Sequence, residues 1–86
     1  MPEETQHRFL ELLDPDPARA EEKYRVLRRR LVMFFQQHRA WDSEEAADET
    51  IKRAMTRIAE GADVRTGVPA YCYGVARHVF QETIRK

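Results

Sequence analysis

DSEEAADETIKRAMTRI, residues 42–58, carries the start signal, the periodicity and the charge division of one amphipathic helix. Asp42 is followed three residues later by Glu45, the spacing of a capping box, in which side-chain oxygens take up amide protons that a helix N-terminus would leave without partners. Trp41 stands just before the cap. Ala47, Ile51, Ala54 and Ile58 recur at intervals of three and four and form a stripe to be buried. Glu45, Asp48, Glu49 and Lys52 fall on roughly the opposite face. The helix is expected to end near Glu60 and Gly61, where "EGADVRTGVP" (60–69) begins.

Working outward, the residues before this helix form two further helical stretches separated by "DPDP" (14–17), where proline removes the amide proton a helix interior needs. The first covers about residues 4–13 and offers Phe9, Leu10, Leu12 and Leu13. The second runs from about 17 to 38. At about 100° per residue, Tyr24, Leu27, Leu31, Phe34, Phe35 and His38 share one arc, while Val26 and Met33 lie opposite, under the first helix or open to a partner. A fourth helix is expected after Pro69. No repeat or strand alternation is present, so the fold class is all-α, a small three- to four-helix antiparallel bundle. Residues 1–14 supply an N-terminal helix packing on a domain formed by 15–86.

A chain of 86 residues with 42% hydrophobic and 35% charged side chains has material for one modest core. Fifteen basic side chains balance fifteen acidic ones, so any electrostatic function must come from local segregation rather than a global field. The single cysteine, Cys72, excludes an internal disulfide framework and fits a reducing, cytoplasmic setting. No apolar run approaches the roughly 20 residues of a membrane span, and "MPEETQHRF" lacks the pattern of a signal peptide. Three scattered histidines, one cysteine and no glycine-rich phosphate loop make a thin catalytic inventory, so neither an enzyme, a metal site nor a cofactor is expected. The acidic residues Glu44, Glu45, Asp48 and Glu49 lack a histidine partner and suit either a solvated face or docking on a basic partner. "LRRRL" (27–31) is the densest basic run, and its arginines can pair with Glu21 and Glu22 on the same helix.

The last helix divides by angle. Cys72, Val75, Ala76, Val79 and Phe80 take the buried side, and Gly74, Arg77, His78, Gln81 and Arg85 form a polar arc bordered by Tyr71 and Tyr73. Glycine in an exposed helix interior costs about 1 kcal/mol against alanine and leaves a notch between longer side chains. A cationic strip flanked by rings suits single-stranded nucleic acid, since arginine neutralises phosphate and ring faces stack unpaired bases. Tyrosines that simply pack at the core margin are the alternative. Cys72 suits a small core position, His38 a place at the core edge and His7 an exposed one.

"DSEEAADETIKRAMTRI", a glycine-containing loop and "VPAYCYGVARHVFQETIRK" (68–86), in that order, resemble region 2 of bacterial RNA polymerase sigma factors, most of all the extracytoplasmic-function group of the sigma-70 family. The family pairs an acidic capped helix of the type D-x-E-D-L-x-Q-E-x-F with an aromatic-rich helix of the type A-W-L-Y-x-I-A-R-N. The likeness spans about residues 17–86. It implies that the acidic helix, through Glu45, Asp48, Glu49 and Lys52 with Met55 at the margin, binds the clamp helices of the polymerase's largest subunit. It also implies that the last helix, through Tyr71, Tyr73, Arg77, His78, Gln81 and Arg85, with the loop 61–68, recognises the minus-ten promoter element. There it would hold the nontemplate strand open around a flipped base. Asp48 stands where the family commonly has glutamine, Ile51 and Lys52 replace an aromatic-aliphatic pair, and His78 takes the place of an asparagine. The chain stops at "TIRK", where a complete sigma factor continues to region 4, so a two-domain initiation factor is not expected from these residues alone. Two other outcomes stay open: a sigma-fold domain that binds polymerase or an anti-sigma factor without reading promoter, and self-assembly through Val26 and Met33.

Overall fold

A computed structural model of the chain describes residues 3–38 and 42–84, in four helices. They are α1 (Glu3–Leu13), α2 (Pro17–Gln37), α3 (Ser43–Ala59) and α4 (Val68–Ile84), with no strand among the described residues. The fold is therefore an all-helical bundle, as the periodicities require.

Each boundary has a local cause. Asp42 caps α3, its carboxylate accepting the Glu45 amide at 3.0 Å. At the other end, Gly61 adopts φ +98°, the Gly61 amide donates to the Ile58 carbonyl and the Ala62 amide reaches back to that of Arg57. This double closure satisfies carbonyls that the helix end would orphan, and the left-handed turn it needs is one that glycine enters without Cβ strain. Asp16 caps α2 by accepting the Ala18 amide, with Pro17 at the first helical position. Lys23 ties α1 to α2: its ammonium donates to the Leu13 carbonyl at 3.2 Å and pairs with Asp14 at 2.9 Å. α4 begins two residues earlier than expected, at Val68. Gly67 precedes it at φ +101°, its carbonyl accepts the Tyr71 amide, and Pro69 sits in the first turn where no intrahelical N–H is missed.

α3 is the common neighbour, packing against α1, α2 and α4. Its stripe Ala47, Ile51, Ala54 and Ile58 is buried as its spacing demands, and Leu27, Leu31 and Phe35 of α2 meet it in the core. α1 contributes Phe9 and Leu13, with Phe9 edge-on to Tyr24; Leu12 remains exposed. α4 contributes Val68, Cys72, Val75, Ala76 and Val79. Thr50 is fully buried, and its hydroxyl donates to the Ala46 carbonyl at 2.8 Å, so its burial leaves no polar atom unsatisfied. No described helix is long and apolar enough to cross a membrane.

Candidate functional site

On α3, Glu44, Glu45, Asp48 and Lys52 are exposed and Glu49 is half-buried. Met55, expected at the margin of this face, is in the core at 4% exposure. Because α3 is covered by three helices, its buried arc is wider than a single stripe and takes in Met55, about 40° from Ile51, as well as Thr50.

Two of the acidic side chains are already engaged. Arg28 of α2 makes a two-pronged pair with Asp48, Nε to Oδ1 at 2.9 Å and Nη2 to Oδ2 at 3.3 Å. Arg28 thus points away from the Glu21 and Glu22 expected to hold it; Glu21 lies at 3.9 Å from Arg25 instead. Arg53 of α3 donates Nε to Glu49 at 3.1 Å and grips Glu82 of α4 with both terminal nitrogens at 2.6 and 2.8 Å. Its hydrogen bonds to Glu82 first, then Glu49, hold the Arg53 guanidinium well above its ordinary pKa, and the Asp48 contact raises that of Arg28. The acidic helix is therefore pinned to α2 by one arginine and to α4 by another. Arg53 and Glu82 escaped the sequence reading; their only advance signal is the i, i+4 spacing of Glu49 and Arg53. Glu44 and Glu45 make no ion pair among the described residues.

On α4, Gly74, Arg77, His78 and Gln81 are exposed, and Tyr71 and Tyr73 are half-buried at the two edges, the arrangement expected from angle alone. A methyl group added at Gly74 would meet nothing within 4 Å, so the notch opens to solvent. Tyr73 stands edge-on to Phe34 of α2, ring centres 6.4 Å apart. Arg85 and Trp41 lie outside the described residues. His38, expected in the core-facing arc and at its edge, is exposed at the end of α2; among the described residues Phe34 and Phe80 back its ring, at 4.4 and 5.1 Å between centres.

In the loop between α3 and α4, Asp63 accepts the Arg65 amide and the guanidinium of the same residue, which holds the Asp63 carboxyl below its ordinary value. Cys72 is fully buried, and desolvation pushes its thiol up to about 12, which makes it inert rather than nucleophilic. No group of three potential metal ligands occurs among the described residues. A groove of about 410 Å³ between α1, α2 and the start of α4 is lined by Leu12, Val26, Leu27, Val68 and Pro69, with Arg30 at its rim. Val26 is half-buried and lines this groove together with Leu12 and Leu13 of α1, while Met33 stays 49% exposed.

Compared with family models, curated proteins and solved structures, the chain matches none.

Proposed function

We propose that the chain is a sigma region 2-like transcription-initiation module that binds core RNA polymerase through α3 and engages the opened minus-ten strand through α4. The observation that supports it best is the outward arc of α4. Arg77, His78 and Gln81 surround an open notch at Gly74, between two tyrosines whose half-buried rings are held at the core margin. Rings fixed in this way lose little freedom when a base stacks on them, and arginine beside them supplies the charge that a phosphate backbone requires. The order of the acidic capped helix, glycine loop and aromatic helix supplies the identity of the two partners by resemblance.

The test is fluorescence anisotropy with labelled single-stranded minus-ten oligonucleotides, beside capture of the isolated clamp helices. Wild type is expected to bind both at low salt, with Arg77→Gln weakening only the oligonucleotide. Reversing Glu44 and Glu45 tests the docking face more cleanly than reversing Asp48 and Glu49, whose pairs with Arg28 and Arg53 also hold the bundle. If neither the strand nor the clamp is bound, the proposal falls.

A second reading has one observation in its favour: among the described residues, Arg77 is the only Lys or Arg on the outward arc of α4. In that reading the domain docks on polymerase or an anti-sigma factor and leaves DNA alone. Capture of the clamp by wild type and Arg77→Ala alike, with no strand bound by either, is its expected signature.

A further inference from the structure

α2 and α4 run side by side in the same direction. Arg30 stands with Gly67 and Pro69 at the start of α4, Phe34 touches Tyr73 one turn on, and His38 touches Phe80 beyond that. Residues 30, 34 and 38 are spaced i, i+4 and i+8, so they form a single edge of α2 bordering the outward arc of α4. Along that edge Arg30 is exposed and, like its neighbour Arg29, makes no ion pair among the described residues.

His38 is held in a particular way. Its Nδ1 lies 2.8 Å from the Phe34 carbonyl, and because a carbonyl only accepts, Nδ1 carries the proton and Nε2 is left for another partner. Phe34 and Phe80 support the ring from α2 and α4, while the residue as a whole is exposed. An exposed ring oriented by a hydrogen bond and backed by two phenyl groups is a preorganised stacking surface.

We propose that a bound single strand of DNA does not stay on α4 but crosses onto this edge of α2, with a base stacking on His38 and a phosphate held by Arg30. The proposal rests on the nucleic-acid reading of α4 and extends it to a two-helix track, in which Phe34 and Phe80 are the supports rather than the contacts.

The experiment is anisotropy of a labelled single-stranded oligonucleotide, titrated at several salt concentrations with wild type, Arg77→Gln, Arg30→Gln, His38→Ala and His38→Phe, and with Arg57→Gln on α3 as the control. Removing a stacking ring weakens binding by about 5- to 150-fold, and that loss is expected of His38→Ala. His38→Phe keeps a ring and is expected to retain binding, which separates stacking from any loss of helix capping; thermal melts confirm that each variant is folded. Arg30→Gln is expected to flatten the dependence of log affinity on log salt by about 0.7, the share of one phosphate contact on a single strand. If Arg77→Gln weakens binding while His38→Ala and Arg30→Gln match wild type, the track ends on α4 and the inference is wrong. If His38→Phe is as weak as His38→Ala, stacking is refuted. Failure of wild type itself to bind is a different result, one that removes the α4 reading along with this extension.

Discussion

Gly74 and Asp14 show how single residues set local stability. Gly74 has helical neighbours on both sides and open space where a side chain would stand. Gly74→Ala is therefore expected to raise stability by about 1 kcal/mol in a denaturant titration, through helix propensity alone. If the notch serves strand binding, the same variant binds the oligonucleotide less well, so stability and affinity move in opposite directions. Asp14 accepts the Asp16 amide at 2.8 Å, and that bond, with the Lys23 ammonium, lowers its carboxyl below the ordinary 3.8. A carboxyl lowered on folding stabilises the native state above its unfolded value and loses that contribution as pH falls through the folded value. Wild type is thus expected to lose stability on acidification below about pH 4, and Asp14→Asn to lose less over the same interval.

At the scale of elements, α3 shows what periodicity conveys. Its cap, its stripe and its end were legible because each depends on neighbours within four residues along the chain. Met55 and Thr50 were not, since their burial comes from helices on several sides of α3, which no spacing within 42–58 encodes. The partners of Arg28 and Arg53 were hidden for the same reason: Asp48 and Glu82 are 20 and 29 residues away. On α4 the outward arc was legible in full among the described residues, because it is a matter of angle on one helix. His38, at the end of α2, is exposed yet keeps Phe34 and Phe80 against its ring, the core-edge place that its angle and its position at the helix end suggest. The Arg53 network makes a measurable claim about α3 and α4. A double-mutant cycle with Arg53→Met and Glu82→Gln, read by chemical denaturation, is expected to give a coupling of about 1 kcal/mol at low salt. The coupling should shrink toward zero as salt is raised, since both partners retain access to solvent.

For the molecule as a whole, the three helices around α3 are held by different means. α1 is tied down by Phe9 and by Lys23, α2 by Leu31, Phe35 and the Arg28 pair, and α4 by a row of small apolar residues and the Arg53 grip. Small side chains bring α4 close but contribute little area each, so α4 depends on the grip more than α2 does. A four-helix domain with one candidate surface on α3 and another on α4 has the two joined through Arg53. A basic partner docking on Glu49 competes for that carboxylate with Arg53, the same guanidinium that holds Glu82. Cys72 gives this arrangement a built-in clock. Its thiol sits at zero exposure on the inner side of α4 and becomes reachable only when that helix parts from the rest. The rate of alkylation of the native protein, set against that of the unfolded chain, therefore counts how often α4 lifts away. Arg53→Met is expected to quicken the clock without altering the unfolded rate, and a bound strand that spans α2 and α4 is expected to slow it.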